Sequence, residues 1–180
     1  MTLFQKKYRV ESTRLKYWDY STPGYYFVTI CTKDKKCYFG KIVNGDMHLS
    51  SVGAVVKECW LAIPEHFPFV TLDEYVIMPN HVHGIIIIGS DKCRDARFCV
   101  STINNDGGNK YGSQSKNLGS IIRGFKIGVT KWSTENKINF AWQPRFYDHI
   151  LRNDKSLYAI RKYIQQNPQK WELDKFCSEN

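Results

Sequence analysis

The chain has 180 residues, of which 26 are lysine or arginine and 17 are aspartate or glutamate, so its formal net charge is +9 and its pI about 9.2. This length fits one domain with a full core, and the excess of cations favours a polyanionic partner, with nucleic acid ranked ahead of an acidic membrane surface. No segment approaches membrane-spanning length and none resembles a signal peptide, so a membrane partner is not expected. The six cysteines lack paired metal-binding spacing, which favours reduced thiols in the cytoplasm.

The first 22 residues are predicted to form a basic arm that contacts a nucleic-acid backbone. Its cations include Lys7, Arg9, Arg14 and Lys16, and tyrosine and tryptophan residues lie between them. Cations bind phosphates and aromatic rings stack on unpaired bases, so this mixture is typical of proteins that bind single strands.

The next elements predicted are a strand, a hairpin and a helix. Aromatic and β-branched residues indicate a strand over 24–32, bounded by a glycine and a charged turn. Asn44–Gly45 is the turn signal of a hairpin. Ser51 is predicted to cap a helix that runs to about Ile63, because apolar residues recur there at helical spacing.

A second long strand is predicted over 69–79, and a Pro-Asn turn leads from it directly into "HVHGIIII". The run Ile85–Ile88 is too short for a helix and is typical of a strand buried on both faces. Since alternate residues of a strand share one face, His81 and His83 point to the same side. The two imidazoles can bind one metal ion, or they can bond water and backbone where the strand emerges.

The second half of the chain begins with a polar stretch over 90–116, rich in glycine, asparagine and serine, which is predicted to be a mobile loop within the same domain. A helix is predicted over 117–132, with one apolar stripe and with Arg123 and Lys126 outside it. Ile127 falls on the side opposite the stripe, and the sequence offers no reason for it.

The last predicted helix follows a connection over 142–153, begins at an Asp154 cap and ends at Pro168. Tyr163 and Asn167 are four residues apart and therefore lie on one line of its surface, at the flank of its apolar stripe. From the helix alone, Tyr163 can be a packing residue with a solvated hydroxyl or can reach into a cleft.

The order strand, hairpin, helix, strand, strand, helix, helix predicts an α+β sandwich with a central antiparallel sheet and helices mainly on one face. A ferredoxin-like (RRM-like) arrangement is expected. A single domain is predicted over 1–180, with an arm over 1–22, a loop over 90–116 and a C-terminal tail over 168–180.

Four segments, "EYVIMPNHVHGIIII", "LGSIIRGFKIGVTKW", "WQPRFYDHIL" and "YIQQNP", have an order and spacing that carry a family resemblance. The chain resembles, over roughly 25–171, the single-tyrosine HUH transposases and, among them, the REP-associated tyrosine transposase branch. The most specific feature is the joint occurrence of MPNHxH and YIxxNP some eighty residues apart, because either motif alone would be modest evidence.

The resemblance implies that His81 and His83 are metal ligands and that Tyr163 is the nucleophile. Asn167 stands where insertion-sequence relatives carry a glutamine as third ligand, and Gln166, one residue earlier on the helix, is its possible substitute. The ion would be Mg²⁺ or Mn²⁺, because imidazole ligands favour Mn²⁺ whereas cellular abundance favours Mg²⁺.

The implied function is metal-dependent cleavage and rejoining of single-stranded or hairpin DNA through a 5′-phosphotyrosine, in a bacterial or archaeal cytoplasm and associated with the nucleoid. Arg123, Lys126 and the cations of the arm would hold the DNA backbone. Two alternatives stay open: a non-catalytic single-strand nucleic-acid-binding module, such as a domesticated relative, and a histidine-ligated zinc hydrolase. Whether the tyrosine helix serves its own chain or that of a partner in a homodimer is also open.

Overall fold

The structure is a computed structural model that describes residues 18–89 and 116–173, together with the backbone of two short strands near the N-terminus. The strands are β1 (Leu3–Phe4), β2 (Lys7–Tyr8), β3 (Gly24–Cys31), β4 (Gly40–Val43), β5 (Asp46–Leu49), β6 (Val70–Ile77), β7 (His81–Ile88) and β8 (Tyr147–Leu151). The helices are α1 (Ser51–Leu61), α2 (Ile63–His66), α3 (Leu118–Glu135) and α4 (Asp154–Gln166), and 3₁₀ turns span Lys33–Lys35 and Pro168–Leu173. Within the described ranges, no helix has the length and apolar character needed to cross a membrane.

A four-stranded sheet with the order β6-β7-β3-β8 forms the centre of the fold, and every neighbouring pair is antiparallel. The hairpin β4-β5 stands apart from it, as does β1-β2. Along the chain, β3, α1, β6, β7, α3 and β8 give the βαββαβ order of a ferredoxin-like fold, so the predicted fold class is confirmed.

The assignment of 142–153 as a connection is wrong, because β8 lies within it and pairs with β3. This strand occupies the edge of the sheet, and only its last two residues are buried. A short edge strand that carries an aspartate and a histidine has little apolar alternation by which a sequence pattern could reveal it.

Helices cover the two faces of the sheet unequally. α1 and α3 pack on the larger core, whose buried members include Val28, Ile30, Trp60, Val82, Ile86, Ile122 and Phe125. α4 packs on the other face over a smaller cluster formed by Phe27, Ile85, Leu151, Leu157 and Ile164. Because side chains alternate along β7, residues 81, 83 and 85 point to the α4 face and residues 82, 84 and 86 to the face of α1 and α3.

Both predicted helix caps are shifted by one residue. Ser50, not Ser51, caps α1 by accepting a hydrogen bond from the backbone N–H of Gly53 at 3.1 Å. Asn153, not Asp154, caps α4 by accepting from Ser156 at 2.8 Å. In each case the cap is the residue with extended backbone angles just before the first turn. Where two polar residues are adjacent, the sequence does not show which of them has that conformation.

The hairpin turn is confirmed, with Asn44 and Gly45 both at positive φ, as a type I′ turn requires. The predicted helix over 117–132 corresponds to α3, on which Ile127 is exposed to solvent. The loop prediction over 90–116 falls outside the described residues except for its last position, and it stays a prediction.

Candidate active site

The histidine pair lies on the central strand β7 and faces α4. His81 and His83 are 0 % and 2 % exposed, and the centroids of their rings are 4.4 Å apart. The interpretation of a solvated strand end is therefore wrong, because α4 and the segment that follows it cover this face of the sheet. The two imidazoles are thus direct neighbours on one buried face of the strand.

A hydrogen bond to a neighbouring residue fixes the orientation of the His81 ring. Asn80 donates from Nδ2 to the carbonyl of Lys35 at 2.8 Å, which turns its Oδ1 towards Nδ1 of His81 at 2.9 Å. Nδ1 of His81 therefore carries the proton, and the lone pair lies on Nε2, which is buried. An outer partner of this kind is what holds a metal-binding histidine in the correct tautomer.

His83 is held on both sides of its ring. Nδ1 lies 2.9 Å from Oγ1 of Thr29, which is its register partner on β3, and Nε2 lies 3.1 Å from the hydroxyl of Tyr163. The ring also stacks on Phe27, with 5.4 Å between centroids. When Tyr163 donates to Nε2, the proton of the neutral imidazole is on Nδ1, and Nε2 again carries the lone pair.

Tyr163 reaches the histidine pair of its own chain. Its side chain is 41 % exposed, and its ring meets Phe27 edge-on at 6.2 Å. Part of the ring is thus open to solvent while the hydroxyl itself is directed at His83. The contact is intramolecular in this chain, and an exchange of the tyrosine helix with a partner in a homodimer stays a prediction.

Two polar contacts with β6 fix α4 at this position. Nε of Arg161 donates to Oδ1 of Asp73 at 3.0 Å, and its NH2 group donates to Oδ2 of the same carboxylate. Gln165 donates to Glu74 at 3.2 Å. Asp73 and Glu74 lie where the register of β6 against β7 shifts between residues 72 and 75, so a β-bulge presents both carboxylates to the helix.

Asn167 follows α4 directly, is 4 % exposed, and has an Oδ1 atom that is buried without a hydrogen-bond partner among the described residues. Along the chain it lies between Tyr163, which contacts His83, and Trp171, whose ring is 6.1 Å from that of His81. Gln166 differs, since it is half-exposed and its Oε1 accepts from Lys170 at 2.9 Å. Of the two amides, Asn167 has the oxygen that is available to a ligand.

These donors fit a divalent ion. A buried carbonyl oxygen with no partner is costly unless something binds it, and two Nε2 atoms with lone pairs complete a set of neutral ligands. Within residues 18–89 and 116–173, no group of three or more histidine, cysteine, aspartate or glutamate side chains comes together as an alternative metal site. His81, His83 and Asn167 are therefore the residues that would hold such an ion.

The residues predicted to bind DNA are placed differently. Arg123 is exposed on α3. Lys126 is half-buried, and its Nζ donates to the carbonyls of Gln143 at 2.8 Å and Arg145 at 2.7 Å. Burial lowers the pKa of Lys126 to about 8. Its ammonium group therefore holds the segment that leads into β8, and its predicted contact with DNA stays a prediction.

The side chains of the arm, Lys7, Arg9, Arg14 and Lys16, lie outside the described residues. Several residues of the site are not indicated by the sequence patterns: Phe27, Thr29, Asn80, Asp73 and Arg161. Asn80 adjoins the first histidine and could have been found by that adjacency. The others become neighbours of the site only through sheet register or helix docking.

No family model matches the chain. It is 46 % identical over 168 residues to an uncharacterized protein of Haemophilus influenzae, and the match covers 91 % of this chain and 90 % of that protein. It is 27 % identical over 154 residues, or 84 % of this chain and 74 % of the relative, to a Haemophilus influenzae protein described as a candidate REP-associated tyrosine transposase. Its fold is similar to a solved structure of a REP-associated tyrosine transposase bound to a REP hairpin, with a TM-score of 0.59 at 18 % identity, covering 92 % of this chain and 77 % of that one.

Proposed function

We propose that this chain, which belongs to one family with the uncharacterized Haemophilus influenzae protein and is related to the REP-associated tyrosine transposases, cleaves and rejoins single-stranded or hairpin DNA. The observation that carries the proposal is the hydroxyl of Tyr163, held 3.1 Å from Nε2 of His83 within the same chain. The setting would be a bacterial or archaeal cytoplasm, at the nucleoid. The net charge of +9 suits a polyanionic substrate.

The reaction exchanges one phosphodiester for another. The phenolic oxygen of Tyr163 forms a bond to phosphorus and loses its proton, while the bond from phosphorus to the 3′ oxygen breaks and that oxygen takes up a proton. The product is a 5′-phosphotyrosine and a free 3′-hydroxyl, and no water is consumed. Because the phosphoester bond is conserved, the reverse reaction with another 3′-hydroxyl rejoins the strand.

His81, His83 and Asn167 would hold Mg²⁺ or Mn²⁺, and the two imidazole ligands favour Mn²⁺ somewhat, because Mg²⁺ prefers carboxylates. The ion would neutralise negative charge on a non-bridging phosphate oxygen. Nε2 of His83 cannot serve the ion and the Tyr163 hydroxyl at the same moment. With an ion held at that atom, the Tyr163 hydroxyl would lie away from His83, and the 41 % exposure of Tyr163 leaves its side chain space to move.

Two other functions are less well supported by these contacts. A non-catalytic single-strand-binding module would not need a tyrosine hydroxyl directed at a buried histidine pair. A zinc hydrolase would be expected to use a third histidine, cysteine or carboxylate ligand, and none joins the pair within the described ranges.

The test is covalent attachment. Labelled single-stranded and hairpin DNA would be incubated with the protein and Mn²⁺, and the mixture separated on a denaturing gel. Tyr163→Phe keeps the ring on Phe27 but removes the attacking oxygen, so it should fold and bind DNA as the unmodified protein does and form no adduct. Tyr158→Phe is the matched control on the same helix, since Tyr158 is 70 % exposed, and it should form the adduct normally. An adduct that persists in the Tyr163 variant would overturn the assignment.

A further inference from the structure

A continuous run of rings leads from the histidine pair to the edge of the sheet. Phe27 stacks on His83 with an interplanar angle of 28°, and Tyr147 meets Phe27 edge-on with centroids 6.5 Å apart. The first rings of the run are buried, whereas Tyr147 is 53 % exposed. The run therefore ends in an aromatic surface that is open to solvent beside the candidate site.

The position of Tyr147 follows from strand register. It is paired with Thr29 across β3 and β8, and the hydroxyl of Thr29 is bonded to His83. Alternation along β8 places Tyr147 on the same face as Leu151, which packs under α4. Tyr163 and Tyr147 approach the Phe27 ring at 6.2 and 6.5 Å, so the nucleophile and the exposed ring share one buried neighbour.

Core packing does not account for this ring. Tyr147 is not a member of either buried cluster, and β8 is an edge strand of the sheet. The exposed Arg145 stands two residues before Tyr147, whereas the guanidinium of Arg152, after the strand, lies over the Trp18 ring. A half-exposed ring near a cation and next to a nucleophile suits an unpaired base and its phosphate.

We propose that Tyr147 stacks on an unpaired base of the DNA next to the phosphate that Tyr163 attacks. This inference rests on the proposed function and adds a binding residue on a different strand. The ligand class is a single-stranded nucleotide segment, because a base within a duplex has no free face for the ring.

The test uses the Tyr163→Phe protein without added metal, so that binding is measured without cleavage. Fluorescence anisotropy would give the Kd for a single-stranded oligonucleotide and for a blunt duplex of the same length. Adding Tyr147→Ala should weaken single-strand binding about tenfold, the usual effect of removing one stacking ring, while duplex binding changes little. Tyr147→Phe should restore the affinity, because stacking needs the ring and not the hydroxyl.

Tyr158→Ala removes an even more exposed tyrosine from the far flank of α4 and should leave the Kd as it was, and near-UV circular dichroism would confirm that each variant is folded. Tyr147→Ala with unchanged single-strand affinity, or Tyr147→Phe as weak as the alanine variant, would refute stacking. If the stacking effect is present but the unmodified protein never forms an adduct, the proposed cleavage fails and the stacking stands. If adducts form normally and Tyr147→Ala binds single strands normally, the stacking proposal fails and the proposed cleavage stands.

Discussion

Replacing Arg161 by alanine should loosen the helix that carries the tyrosine. The guanidinium makes a two-pronged contact with Asp73, whose side chain is 12 % exposed, while that of Arg161 is 42 % exposed. The hydrogen bond with Asp73 raises the pKa of Arg161, so the guanidinium stays charged at every relevant pH. In Arg161→Ala the carboxylate stays in place, mostly buried, without its partner.

The expected loss lies between two limits. A fully exposed ion pair contributes about 0.2–1 kcal/mol, whereas removing one partner of a buried pair costs about 3–5 kcal/mol. With one partner nearly buried and the other two-fifths exposed, solvent screening reduces the upper figure, and we expect about 1–2 kcal/mol. A change of that size alters the ratio of docked to undocked helix by a factor of about 5–30.

A double-mutant cycle measures this coupling. The free energy of unfolding would be obtained by urea titration for the unmodified protein, Arg161→Ala, Asp73→Asn and the double variant, with hydrogen exchange of the α4 amides as the local measurement. The double variant should lose clearly less than the sum of the single losses, and exchange should accelerate in α4 before it does in β7. Gln165→Ala, which removes the weaker contact with Glu74, should have a smaller effect. If the two losses add to within about 0.3–0.5 kcal/mol, the pair does not couple and the docking argument is wrong.

Three further predictions follow from single contacts. Asn167→Leu removes a buried oxygen that has no hydrogen-bond partner among the described residues, so calorimetry should show the Mn²⁺ affinity reduced about tenfold or more while stability is retained. The control Gln166→Leu should leave the affinity unchanged. The opposite result would make Gln166 the ligand. A Cβ added at Gly84 would lie 2.2 Å from the Trp60 ring, so Gly84→Ala should lower the free energy of unfolding by about 1–3 kcal/mol in urea, and a neutral effect would contradict the close packing. Burial lowers the pKa of Lys126 to about 8, so between that pH and about 10.5 the unfolded chain holds a proton that the folded chain has released. The free energy of unfolding, compared with that of Lys126→Met, should therefore rise with pH across this window. A fall would contradict the burial of the amine.

Local sequence patterns determined much of the fold. Three patterns each depend on a few neighbouring residues: the β-branched run of β7, the Asn44–Gly45 turn and the apolar stripe of α3. Each of these patterns is found in the element that it predicts. The same holds for the placement of His81 and His83 on one side of a strand and of Tyr163 and Asn167 on one line near a helix end. These are consequences of the periods of strand and helix, which neighbours in sequence are sufficient to set.

Only tertiary structure decided what these groups meet. The hydroxyl of Tyr163 is hydrogen-bonded to His83, which is 80 positions away in the sequence. Thr29 orients the same histidine from 54 positions away, and Arg161 contacts Asp73 from 88 positions away. Each contact depends on sheet register or on the angle at which α4 lies over the sheet, and neither is encoded by a local period. Burial of the histidine pair has the same origin: a strand end is exposed or covered according to what packs over it, and here the covering helix comes from the far end of the chain.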